Sequence, residues 1–389
     1  MVAAGANKDR GVNFASLKDW LGAEIAANGP VSVERYMREC LLHPQFGYYR
    51  TRQAIGKAGD FITAPEISQI FGELIGIWTA AAWTGLGEPE RWRLVELGPG
   101  RGTLMMDLLR ALKVLPVALA GVEVVLVEAN PVLRDMQRAL LAGTGLPVVW
   151  LEEAAGLAGL PSLPTVLIAN EFLDALPIRQ FVRLDGAWCE RCITVSSSPR
   201  LSGERVPEGR VRGRLEFDAA PHPNPLPTDV WGERASANAP DGTISEIMSG
   251  AAALVAELAI LSCAYMLFID YGHEGPLFGD TLQAVTGHRF EDVLANPGKA
   301  DLSAHVDFAQ VRACATAKGL AGYGPIIQAE FLGRLGAAER LERLAHGKDA
   351  AAVQALQMGL ARLMQPNGMG GRFKVLALAS KGLARPPVF

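Results

Sequence analysis

The sequence predicts an α/β protein built on an open, doubly wound sheet, and three observations carry that prediction. From Trp92 onward, apolar segments of strand length alternate with segments of helical periodicity, the pattern of a parallel sheet. A glycine-rich segment, ELGPGRGT (Glu96–Thr103), joins the first of these strands to a helix. The next strand ends on an acid, Glu128, with Asn130-Pro131 opening another helix. Ligands of such sheets collect at the carboxyl edge of the strands, where these residues fall.

The elements follow in order. Residues 1–90 read as a helical region. Phe14, Leu17, Leu21 and Ile25 form one stripe that stops at Asn28-Gly29-Pro30, and Ser32 can cap a second helix, Val33–Leu42. A polar loop from Arg50 to Pro65 leads to a third helix, Glu66–Trp83, on which Gly72 and Gly76 permit close packing against a neighbour. The strands are Trp92–Leu97, Val122–Val127, Pro147–Leu151, Thr165–Ala169, Tyr265–Ile269, one near Tyr323–Gln328, and Phe373–Ala379, with a helix Ala337–Met364 between the last two. This divides the chain into an N-terminal helical region (1–90) covering the active site and a ligand-binding domain (91–389), with insertions at 177–244 and 272–322. The first insertion opens as a hairpin: Arg179–Leu184, a turn at Asp185-Gly186, and a return over Ala187–Val195. It continues as a proline-rich, aperiodic surface loop, Ala219 to Pro240, whose PHPNPLP…GER core resembles a translated genomic repeat element of bacterial proteins.

Composition bounds the function. The chain has 389 residues, 49% of them apolar, and a net charge of −4. That balance gives no basic domain for nucleic acid. The N-terminus lacks the apolar core of a secretion signal, and the five cysteines are sparse and odd in number, which fits a reducing compartment, the bacterial cytoplasm. The apolar run Ala251–Ile269 is long enough to suggest a membrane span. Leu254, Leu258 and Leu261 lie at helical spacing, however, and Tyr265–Ile269 reads as a strand, so a helix feeding a parallel strand is expected and no span. Cys189-x-x-Cys192 has no second ligand pair, and His273, His288 and His305 with Asp301 and Asp307 follow no ligand rhythm, so no metal is expected.

The glycine spacing decides the ligand. Gly98, Gly100 and Gly102 let backbone approach a ligand where a Cβ would intrude, and the helix beyond Thr103 aims its free N–H groups there. A dinucleotide fingerprint is G-x-G-x-x-G. Here it is E-x-G-x-G-x-G, and Glu96 would repel a pyrophosphate but suits a cation. S-adenosylmethionine (AdoMet) carries an ammonium and a sulfonium and no phosphate. Glu128 stands where a second acid can take the ribose hydroxyls. The cofactor-binding set is therefore Glu96, Gly98, Gly100, Gly102, Thr103, Glu128 and Asn130. A nicotinamide oxidoreductase shares the fold class but needs the longer spacing, and a non-catalytic AdoMet-binding assembly factor would keep the same loop.

Two further segments carry charge to this edge. Gly59–Glu66 places Asp60 and Glu66 around a helix start, and could cap that helix or fold over the ligand. Asn170-Glu171-Phe172-Leu173-Asp174 follows the fourth strand, where carboxylates would hold a cationic substrate better than a nucleobase. Glu66, Glu171, Asp60 and Asn170 are the catalytic candidates. Asp270-Tyr271-Gly272-His273 follows the fifth strand without an assigned role.

Taken together the blocks resemble the MidA family of AdoMet-dependent methyltransferases. They are GDFITAPEISQIFGELIGIW (Gly59–Trp78), ELGPGRGTL (Glu96–Leu104), VEANPVL (Val127–Leu133), ANEFLDALP (Ala169–Pro177), DYGH (Asp270–His273), DLSAHVDF (Asp301–Phe308) and GPIIQAEFL (Gly324–Leu332). The resemblance implies a Rossmann-like, seven-stranded class I methyltransferase sheet and a protein substrate. The family's mitochondrial branch makes symmetric dimethylarginine on a core complex I subunit, so it implies a similar acceptor. Leu151-Glu152 replaces more polar residues found after the third strand of relatives, and leaves the adenine contact unassigned.

Overall fold

The computed structural model describes residues 14–51, 63–196, 214–218 and 239–389. Seven strands build the central sheet: β1 (Trp92–Leu97), β2 (Val122–Val127), β3 (Val148–Leu151), β4 (Thr165–Asn170), β5 (Ala264–His273), β6 (Ala321–Ile327) and β7 (Phe373–Ala379). Their spatial order is β6-β7-β5-β4-β1-β2-β3, with the short pair Val306–Asp307 added beside the end of β5. β1 to β5 run parallel, and β7 runs antiparallel to β5 and β6. The order steps outward from β1 to β3, then returns to β4 on the other side of β1. That reversal opens a crevice at the carboxyl ends of β1 and β4.

Alternation along the strands feeds two cores, as a sheet covered on both faces requires. Leu94, Leu126, Ile168 and Leu267 pack with α3 (Gln69–Gly85) and α4 (Thr103–Leu112). Val95, Val125, Leu167 and Phe268 pack on the opposite face with α1 (Leu17–Asn28), α2 (Val33–Leu42), α6 (Ser249–Leu258) and α7 (Phe308–Ala317), while α5 (Pro131–Leu141) follows β2. The small residues on α3 have a direct cause. A Cβ at Gly72 would fall 2.6 Å from Asp107 Cβ, and one at Gly76 2.5 Å from Ala111 Cβ, so α3 and α4 touch almost backbone to backbone.

Several boundaries differ from expectation. The third helix does not start at Glu66. A separate turn, Ala64–Ile67, precedes it, and Ser68 is extended and caps α3 through the Ile70 N–H. The hairpin's return breaks at Arg191: Ala187–Glu190 pairs with Arg179–Leu184, while Cys192–Val195 joins a different sheet with Val31–Ser32 and Leu215–Asp218. The helix expected over Ala337–Met364 is two helices, Ala337–Ala345 and Ala350–Met364, because Gly347 turns at φ +73° and Asp349 caps the second. The run Ala251–Ile269 is divided between α6 and β5, and no described helix is long and apolar enough to cross a membrane. Residues 219–238 of the proline-rich segment lie outside the described residues.

Candidate active site

After β1 the chain passes through Gly98 (φ +62°), Gly100 (φ +54°) and Gly102 (φ +85°), all left-handed, which explains the glycines directly. The Gly98 N–H donates to the Val127 carbonyl at 3.0 Å, tying the loop to the end of β2. A Cβ on Gly98 would also meet Phe172 at 2.7 Å, so the loop after β4 rests on the glycine loop. A residue that sequence reasoning missed sets the other side. Gln137, fully buried on α5, donates to the Gly100 carbonyl at 2.7 Å and accepts from Trp150 Nε1 at 3.0 Å. Its signal was available, since it interrupts the buried stripe between Leu133 and Leu141.

The acids gather around this loop. Thr63, Pro65, Glu66, Glu96, Gly98, Gly100, Arg101, Thr103, Asn170 and Glu171 line one cleft, together with Pro99 and Leu104. Burial pushes Glu96 up to about 8, helped by the charge of Glu128. Burial likewise raises Glu128 to about 7, against the Asn130 N–H that donates to it at 2.8 Å. Asn130 itself caps α5, its side chain accepting from Val132 and Leu133. Two buried acceptors in the cleft, Glu96 Oε2 and Asn170 Oδ1, have no hydrogen-bond partner among the described residues. Such atoms are costly unless a ligand supplies donors.

The catalytic candidates separate on geometry. Glu66 is occupied: its Oε1 accepts from Thr103 Oγ1 at 2.5 Å and its Oε2 meets Arg101 at 3.2 Å. Glu171 sits at φ +52°, where its Oε1 accepts from the Ala64 N–H at 2.9 Å and from Asn170 Nδ2 at 3.1 Å. Burial raises it to about 7. Asp60 lies outside the described residues. Leu151 ends β3, and the Glu152 beyond it turns to Arg134 at 3.1 Å. Cys189 and Cys192 are free thiols on separate strands, and no group of metal-ligating side chains forms among the described residues.

Residues 74–326 match a family model described as S-adenosyl-L-methionine-dependent methyltransferases. The chain belongs to this methyltransferase family. The AdoMet methyltransferase is 36% identical over 382 residues to the human mitochondrial protein arginine methyltransferase NDUFAF7, covering 91% of this chain and 81% of that protein. It is 37% identical over 381 residues to the Drosophila melanogaster homologue, covering 93% and 84%. Its fold matches a crystal structure from Burkholderia thailandensis bound to S-adenosyl-homocysteine, with a TM-score of 0.79, 28% identity, and coverage of 95% of this chain and 92% of that one. The methyltransferase thus uses AdoMet and has the class I sheet, which excludes the oxidoreductase reading.

Proposed function

We propose that this methyltransferase modifies arginine in a protein substrate, and that Glu171 is the carboxylate that meets the guanidinium. The observation that carries the reading is the contrast between the two glutamates: Glu66 is ion-paired to Arg101, whereas Glu171 is hydrogen-bonded by the neutral donors of Ala64 and Asn170, with Arg362 opposing the rise by charge alone, and keeps a raised affinity for a proton. A carboxylate in that condition attracts a cation. The names of the relatives support arginine as the acceptor.

When bound, AdoMet would supply a methyl group on a sulfonium, whose sulfur is left as a neutral thioether when the methyl–sulfur bond breaks. The glycine loop presents bare backbone to it, and Glu96 Oε2 and Asn170 Oδ1 are acceptors suited to its ammonium. Glu128 is suited to the ribose hydroxyls. Glu66, through Thr103 and Arg101, holds the start of α4 and the loop before it. The acceptor nitrogen gains a methyl and loses a proton; Glu171 holds the guanidinium in line and, with a pKa near neutrality, takes that proton. Residues 1–90 contribute Thr63, Pro65 and Glu66 to the cleft, which supports a covering role for that region. A core complex I subunit is the acceptor favoured by the family resemblance, and five free thiols suit a bacterial cytoplasm.

The test is incubation with methyl-labelled AdoMet and cell extract, followed by mass spectrometry of the labelled protein. Dimethylarginine on a respiratory-complex subunit is the expected result. Label on a small molecule or on a different side chain would overturn the arginine reading.

A further inference from the structure

The Asp270-Tyr271-Gly272-His273 segment forms the end of β5. Asp270 is fully buried near the end of β5 and accepts four backbone hydrogen bonds. One oxygen takes the N–H groups of Phe172 at 3.1 Å, Leu173 at 2.8 Å and Asp174 at 3.2 Å; the other takes the Tyr271 N–H at 2.9 Å. The three consecutive donors belong to the loop after β4, which carries Glu171 into the cleft beside Asn170 at the strand's end and rests Phe172 on Gly98.

The loop is neither helix nor strand there, so no ladder of its own takes up those donors. Glu171 sits in the left-handed region just before them, a conformation that a non-glycine residue holds only when its surroundings impose it. The Glu171 N–H itself donates to the Ile269 carbonyl at 2.8 Å, so β5 grips the loop on both sides of the strained residue. The neighbours of Asp270 are fixed in turn. Gly272 has the Val306 carbonyl 2.0 Å from where a Cβ would stand, and the Ala304 N–H donates to the Asp174 carbonyl at 2.9 Å. Burial and the charges of Asp174 and Glu171 raise the Asp270 pKa, while the backbone donors oppose that rise by favouring the carboxylate.

We infer that Asp270 is a positioning residue for methyl transfer, its carboxylate fixing the backbone of residues 171–174 so that Glu171 faces the acceptor. It rests on the reading of Glu171 given above and touches neither cofactor nor substrate itself.

Asp270→Asn tests it. The amide keeps one oxygen but turns an NH2 toward at least one backbone donor. Amides of Phe172, Leu173 and Asp174 should exchange with deuterium at least roughly tenfold faster, while those of Tyr265–Phe268 stay protected. Calorimetry with AdoMet should give a full complement of sites and a Kd within about threefold of wild type. Methyl transfer to the labelled extract protein should fall by roughly tenfold or more, mainly in kcat. Asp270→Glu, which keeps charge and both oxygens on a longer stem, should show the same pattern at smaller amplitude, and carries the test if the Asn variant does not fold. Unchanged exchange at 172–174 in a folded variant overturns the inference, as does a transfer loss matched by an equal loss of AdoMet sites. The exchange readout is independent of acceptor identity, so failure of the arginine reading leaves it standing.

Discussion

Glu171 accepts the Ala64 N–H at 2.9 Å, a bond that joins the chain ahead of α3 to the carboxyl edge of the sheet. Glu66, two residues beyond Ala64, is thereby set against Thr103 and Arg101. The two glutamates share one cleft and have different electrostatic surroundings.

Glu171→Gln should therefore lower methyl transfer by at least roughly tenfold, about 1.4 kcal/mol in the barrier, with AdoMet affinity near wild type. Glu66→Gln leaves Arg101 uncompensated beside the glycine loop, and should weaken AdoMet binding more than it slows transfer. Single-turnover transfer and calorimetry on both variants check the division; equal transfer loss in the two would refute it.

Gly100→Val should abolish AdoMet binding. A β-branched residue is a severe outlier at φ +54°, and its side chain would stand in the cleft. Calorimetry should show no heat of binding while far-ultraviolet dichroism stays native.

Affinity for AdoMet should rise with pH. Glu96, at about 8, and Glu128, at about 7, are partly protonated at neutrality because burial disfavours their charge. A cationic ligand prefers both ionised, so binding releases protons. The Kd should tighten by roughly tenfold between pH 6 and pH 8. Heats measured in buffers of different ionisation enthalpy should reveal the proton release.

Thermal stability of the free protein should move the opposite way. Glu96, Glu128 and Glu171 are raised from an ordinary 4.5 to about 8, 7 and 7, so the folded chain holds protons that the unfolded chain has lost. Their contribution is complete below the ordinary value and is lost as pH climbs through the raised values. Melting temperature should fall by several degrees between pH 5 and pH 8, and added AdoMet should diminish the fall.

Gly76→Ala should destabilise the fold by about 1–3 kcal/mol, since the new methyl meets Ala111 Cβ at 2.5 Å and α3 must move off α4. Urea denaturation gives the value. An effect below about 0.5 kcal/mol would mean that the helices separate freely.

Much of this arrangement was legible in the residues. Trp92–Leu97, Val122–Val127 and Phe373–Ala379 form strands at the expected boundaries because each is a short, mostly apolar segment of strand length. The glycine loop was legible because three left-handed positions leave a compositional trace. What stayed hidden depends on distant pairing. The break at Arg191 reflects a partner strand, Val31–Ser32, far away in the chain. The occupation of Glu66 depends on Arg101, whose side chain could equally have faced solvent. Asp270 acts on amides nearly a hundred positions earlier, and no local pattern encodes that reach.

The continuation of β5 past Asp270 has a further consequence. Its tip pairs in parallel with Val306–Asp307, so everything from Glu274 to His305 leaves one strand and comes back to it. The excursion is moored at both ends to the rod that braces the acceptor loop. Its far end is no free loop: Leu302 and Ala304 are buried in the core and the Ala304 N–H holds the Asp174 carbonyl, so a change of length there would be felt at the catalytic edge.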